Sequence, residues 1–225
     1  MSSFNYSSHV KDYHQCKKRL ADQMASQMLD SMSRKEMMRA AKKLHMAHKN
    51  IVVCDSSEES NALTEFALFS HLHPFGSIAL RWCNRQPAPS NALDQCIFTG
   101  VRESFYSIFK VLEVFPRKGV LIQDLYTQNT FPIMDIGMSL SAVVNLGVAS
   151  RIIPISDWGV FTGAVIPLAN QTYQALLPYL QKNIHEKLIG QNRPFSSKKE
   201  MLFQSTIIRA AMDNGGFKNV AYQDI

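Results

Sequence analysis

Apolar positions change rhythm twice along this chain. Between residues 105 and 168 they crowd into short stretches cut by polar turns: 105–115, 120–126, 131–134, 148–155 and 159–166. These stretches are rich in β-branched and aromatic residues and predict five strands. On either side the apolar spacing is three to four, as a helix with one buried face requires.

The N-terminal part predicts two helices. The first runs from about His14 to Asp30 and aligns Cys16, Leu20, Met24 and Met28 along one face. The second opens at the capping box Ser33-Arg-Lys-Glu36 and reaches about Lys49. After a short strand or turn at Ile51-Val-Val-Cys54, overlapping capping boxes in Asp55-Ser-Ser-Glu-Glu59 start a third helix, which His73-Pro-Phe-Gly76 stops. Ser77 to Cys83 reads as a further helix, and another starts at Ser90. Beyond the strands, Leu176, Leu177, Leu180, Ile184 and Leu188 keep a helical rhythm that Pro178 should kink or restart. A last helix opens at Ser197-Lys-Lys-Glu200 and ends at Asn214-Gly-Gly216.

Pro116-Arg-Lys-Gly119, Tyr126-Thr-Gln-Asn-Thr130 and Ser156-Asp-Trp-Gly159 are reversals, so neighbouring strands are expected to pair antiparallel. Met138 to Asn145 reads as a crossover. The expected class is α+β, a small antiparallel five-stranded bent sheet or half-open barrel flanked by helices at both ends. It divides into a basic Met-rich helical hairpin (1–50), a helical segment (51–103), the meander (104–168) and C-terminal helices (169–225), with 51–225 a single globular unit.

Composition narrows the setting. The chain has 225 residues, 46% of them hydrophobic, enough for a full core. No signal-peptide pattern and no run of about 18 apolar residues occurs, so a cytoplasmic protein without a membrane span is expected. Cys16, Cys54, Cys83 and Cys96 form no C-x-x-C pair and read as reduced thiols.

Charge is concentrated at one end. Residues 1–50 carry a net +6, equal to the whole chain's net charge, so the rest sums to zero. At about 100° per residue, Lys35, Arg39, Lys42, Lys43 and Lys49 fall within an arc of about 120° on the second helix, opposite Met37, Met38, Ala40, Ala41 and Leu44. Such an arc suits nucleic-acid phosphates or an acidic protein; it also suits a helix face that merely stays solvated, the commoner use of charge. Seven of eleven methionines lie in the same region. Thioethers usually fill cores, but left exposed they would favour self-association through these helices.

One run carries a family resemblance: Ser107-Ile-Phe-Lys-Val-Leu-Glu-Val-Phe-Pro-Arg-Lys-Gly-Val-Leu-Ile-Gln-Asp-Leu-Tyr-Thr127, followed by Arg151-Ile-Ile-Pro154 and a last strand ending at Pro167. With the helical stretch before it, the segment from about Asn61 to Leu168 resembles a group of uncharacterised bacterial proteins, some of which carry a SEC-C motif. The resemblance implies a helix-plus-meander core and no established activity. The SEC-C cysteines have no counterpart here, and Gln128-Asn129 stand where the group has a turn glycine.

Chemistry beyond this is sparse. His45 and His48, and His71 and His73, are the only histidine pairs spaced for a metal, and no carboxylate or cysteine completes a recognised set. Gly137-Met-Ser-Leu-Ser141 lacks the strand-turn-helix setting of a nucleophile elbow. Asp124, at a strand end, is best read as a turn cap. The sequence favours a non-enzymatic interaction or scaffold protein without a cofactor. Nucleic-acid binding through the basic helix 34–49 is the alternative, and a metal-dependent hydrolase the third.

Overall fold

The computed structural model describes residues 4–70, 72–183 and 195–219. After a 3-10 turn at Tyr6–His9, helix α1 (Val10–Lys18) continues through a π-helical stretch at Arg19–Ala25 into α2 (Ser26–Asp30). Next come α3 (Arg34–Lys43), a small hairpin of β1 (Ala47–His48) and β2 (Ile51–Val52), and helices α4 (Ser57–Phe69), α5 (Ile78–Arg85) and α6 (Ala92–Glu103). The meander supplies β3 (Phe105–Phe115), β4 (Gly119–Asp124), β5 (Thr130–Met134), α7 (Ile136–Ser141), β6 (Gly147–Ile155), β7 (Trp158–Phe161) and β8 (Ile166–Pro167). Helices α8 (Asn170–Asn183) and α9 (Ser197–Asp213) follow, the latter leading into a 3-10 turn at Gly216–Asn219.

Strands β3, β4, β5, β7 and β6 pair in that order, and β6 returns to β3, closing a five-stranded barrel with β8 appended to β6. The purely antiparallel arrangement expected from the turns is corrected at one seam. The β5–β7 pair is parallel, with Ile133 opposite Gly159, because α7 carries the chain across the barrel before β6 and β7 form their hairpin. The circuit, with a helix between its third and fourth strands, has the strand order of OB-type barrels.

Closure depends on β3. Its first half pairs with β6 (Phe105 opposite Ile152) and its second half with β4 (Phe115 opposite Gly119), with a register shift between Val111 and Glu113. A one-residue bulge bends a strand and reverses which residues face inward. Phe105, Phe109 and Val111 thus point into the barrel, while after the bulge Val114 packs there and Glu113 is exposed. Val120, Ile122, Ile133, Val148, Ile152 and Phe161 fill the rest of the interior.

The outer faces of β3 and β6 are covered too, which explains why β6 reads as an almost unbroken apolar run. Tyr106, Ile108 and Ala149 pack under α3, α4, α8 and α9, whereas Ile153 and Ile155 pack with α5, α6 and the N-terminal helices. Gly100 of α6 permits this approach: a Cβ there would lie 2.1 Å from the Pro154 carbonyl oxygen. The face Cys16, Leu20, Met24 and Met28 docks on this second cluster. Arg19 locks it with two bonds to Asp94, Nε–Oδ1 at 2.8 Å and Nη2–Oδ2 at 2.9 Å.

Three local expectations change. The second helix ends at Lys43, not near Lys49, because His45 (φ 63°) and Lys49 (φ 51°) are left-handed and residues 47–52 form the hairpin. Helix α9 is capped from Ser196 without a side-chain bond, since Glu200 turns into the core. Pro178 lies inside α8 without ending it, while Ile184 and Leu188 fall outside the described residues. In the turn after β4, Gln128 (φ 62°) takes the left-handed position that the resemblance gives to glycine.

Candidate functional site

Two groups of charges stand out, one buried and one exposed. The buried group starts from Arg151, a charged residue in an otherwise apolar strand, 1% exposed. Its partner across the sheet is Tyr106 of β3, so both side chains rise from the barrel's outer face beneath α4 and α9. Those helices supply the compensation that a buried guanidinium needs. Glu200 Oε1 accepts from Arg151 Nη2 at 2.5 Å, and Glu200 Oε2 accepts from the Tyr106 amide at 3.1 Å. Glu65 Oε1 lies 3.9 Å from Arg151 Nε.

Gln204 links Glu65 to the guanidinium. Its Oε1 accepts from Arg151 Nη2 at 3.3 Å and from Ser70 Oγ at 3.0 Å, and its Nε2 donates to Glu65 Oε1 at 2.9 Å. Thr162 Oγ1 donates to Glu65 Oε2, and the guanidinium carbon sits 5.4 Å from the Phe69 ring. Two carboxyl groups therefore share one guanidinium in a buried layer. Burial pushes the Glu65 carboxyl up to about 7, with Arg151 pulling against it. Burial likewise raises the Tyr106 phenol, whose oxygen has no hydrogen-bond partner among the described residues. The assembly joins strand to helices, with its polar atoms turned toward one another.

The exposed group is the basic arc. Lys35, Arg39 and Lys42 are exposed and Lys43 half-buried on α3, while Ala40, Ala41 and Leu44 on the opposite side are fully buried. Lys49 is exposed in the β1–β2 turn, so it leaves the helical arc that the sequence assigned to it. No carboxylate among the described residues lies within ion-pair distance of Lys35, Arg39, Lys42, Lys43 or Lys49. The expected Ser33–Glu36 capping box forms, and Glu36 also pairs with Arg81 of α5. Burial works to raise the Glu36 pKa, but the bonds from Ser33 and Arg81 outweigh it and lower it to about 2.

Of the four candidate histidines, His45, His48 and His73 lie among the described residues. His45 is left-handed with Nε2 3.3 Å from Arg209 Nη1, His48 is on β1, and His71 lies outside the described residues. His73 accepts the Phe75 amide at Nδ1, 3.3 Å away. Among the described residues no three His, Cys, Asp or Glu are grouped as metal ligands. Asp124 Oδ1 accepts the amides of Tyr126 (2.7 Å) and Thr127 (2.9 Å), the turn-capping role expected of it. All four cysteines are free, and burial pushes the Cys16 thiol up to about 12.

Sequence reading gave Glu200 to a helix cap, met Arg151 only within the family resemblance, and passed over Glu65 and Gln204. The available signal was a charged residue within an apolar run: Arg151 in 148–155, and Glu65 between Leu63 and Phe66. A charge so placed requires a buried partner. Among the described residues no helix is long and apolar enough to cross a membrane. No curated protein and no solved structure matches the chain. A model described as "Family of unknown function (DUF7986)" matches residues 7–200, from the N-terminal 3-10 turn into the first turn of α9, and the chain belongs to that family.

Proposed function

We propose that this is a non-enzymatic interaction protein whose working surface is the basic face of α3 and whose partner is a polyanion. One observation carries the reading: Lys35, Arg39 and Lys42 are exposed on a helix fixed by its buried opposite face, without carboxylate partners among the described residues. Cations presented this way gain affinity by releasing counterions from a polyanion. The inward duty of the buried acids supports the same reading, since Glu65 and Glu200 are turned toward Arg151. Kinship with the uncharacterised bacterial group and a cytoplasmic setting belong to this reading.

Retention on an immobilised polyanion such as heparin tests it. The wild-type chain is expected to elute at distinctly higher salt than Lys35→Glu/Lys42→Glu. Equal elution of the two would remove α3 as the working surface. Self-association through the N-terminal helices has less support, because Met24 and Met28 are each only 2% exposed in the core.

Nucleic acid is the second reading. It does not draw on the barrel's outer face in the manner of OB-type binders, where strands two and three carry the ligand. By strand alternation the corresponding face here presents Leu121, Gln123, Thr130 and Pro132, with no aromatic platform for bases. A stacking group lies instead beside α3.

A further inference from the structure

A small hollow opens where α3, α4 and α5 meet, lined among others by Arg39, Ser70, His73, Gly76 and Arg81. Its cations are held in place by the fold. Arg39 Nη1 donates to the Leu72 carbonyl at 3.0 Å, and Arg81 is paired with Glu36, leaving Arg81 Nε buried without a hydrogen-bond partner among the described residues. Glu36 lines the same hollow and neutralises one of its two guanidiniums, so the net positive charge that remains rests on Arg39.

An aromatic group stands next to it. Phe75 is 78% exposed, and its ring lies 5.1 Å from that of His73, which lines the hollow. The turn carrying both is fixed by the Phe75 amide bonding His73 Nδ1 and by the Gly76 amide bonding the His73 carbonyl at 3.1 Å, with Gly76 at φ 96°. With Nδ1 accepting, the neutral imidazole carries its proton on Nε2 and offers a further donor. A large exposed aromatic on a fixed turn costs solvation and gives a planar group a place to stack.

We propose that the rim of this hollow and Phe75 together form a subsite for single-stranded nucleic acid, with one phosphate against the exposed Arg39 and the adjoining base on the Phe75 ring. The proposal rests on the polyanion reading and names its ligand. Arg39 belongs to both the hollow and the exposed face of α3, so Lys35 and Lys42, spread over about 10 Å of helix axis, continue the phosphate track away from the hollow. An acidic peptide would meet the lysines equally well but would have no ring for Phe75. A duplex would keep its bases out of reach of the phenyl face.

The test is a fluorescence-anisotropy titration of the full chain with a labelled single-stranded RNA of about ten nucleotides, its duplex, and poly-glutamate. The expected order is single strand first, with Phe75→Ala weakening single-strand binding about tenfold at unchanged salt slope. Arg39→Ala is expected to weaken it and flatten the slope by about one. Single-strand binding that Lys35→Glu/Lys42→Glu abolishes but Phe75→Ala and Arg39→Ala leave intact overturns the subsite and leaves the polyanion reading standing. Binding of poly-glutamate alone overturns the nucleic-acid assignment, and binding of none of the three overturns both. Phe75 is exposed, so its variant is expected to fold, and an unchanged thermal midpoint checks this.

Discussion

Arg151 and the cations of α3 carry the same charge in opposite surroundings. Arg151 lies under two helices with Glu65, Glu200 and Gln204 around it, whereas Lys35 and Lys42 face water without an ion-pair partner among the described residues. A guanidinium removed from water needs charged and polar partners, and those partners then have fixed structural roles. An ammonium left in water needs no match and remains available to a partner. On the function proposed above, the buried charges hold the barrel against its helices and the exposed charges are left for contact with other molecules.

The strongest way to break the contrast is Arg151→Met, which strands Glu65 and Glu200 without their cation. Stability measured by urea unfolding is expected to fall by about 3–5 kcal/mol. Adding Glu65→Gln and Glu200→Gln to that variant should restore much of it, because no buried charge is then left unmatched. If Arg151→Met alone proved nearly neutral, the cluster would not be the joint described here.

Glu65→Gln sharpens the comparison through pH. The folded carboxyl keeps its proton up to about 7, against 4.5 for the ordinary group, so the folded state binds more protons between those values. The stability contributed by this group is present in full below about 4.5 and is lost as pH rises through about 7. Gln keeps the neutral form at every pH. The variant is expected to gain on the order of 2 kcal/mol over wild type at pH 8 and nothing at pH 4.5, in parallel urea titrations. Glu36, lowered to about 2, acts oppositely, its contribution being present above 4.5 and lost as pH falls through 2.

Arg19→Ala is the intermediate case. The bidentate pair with Asp94 is half-exposed on the arginine side, so its loss should cost about 1 kcal/mol in thermal unfolding and loosen the N-terminal helices first. At the far end, Lys35→Glu/Lys42→Glu should leave stability within about 0.5 kcal/mol of wild type while removing polyanion binding.

How much of this could be read from the sequence follows the same division. Surface charge on a helix leaves a periodic trace, so the α3 arc was visible down to Lys35, Arg39 and Lys42. Lys49 was misplaced because the helix ends in a left-handed His45, a choice made by packing of the β1–β2 hairpin and not by local propensity. Strands and turns of the meander were visible, but the parallel β5–β7 seam was not, since closure is decided by the bulge at 111–113 and by α7. The Arg151 joint assembles residues 86 and 49 positions from that arginine, which no local pattern encodes. Glu200 looked like a capping residue because a carboxylate at that spacing has two uses, and only the tertiary fold decides between them.

The most direct test of the division of labour compares two variants in one binding measurement. The affinity of Glu65→Gln and of Lys35→Glu/Lys42→Glu for a labelled single-stranded RNA would be read at about 50 mM salt, where phosphate contacts dominate. Such a division of labour implies wild-type affinity for Glu65→Gln and a loss of at least about tenfold for the lysine pair. Loss in Glu65→Gln with affinity retained in the lysine pair would contradict it, placing the working chemistry in the buried cluster.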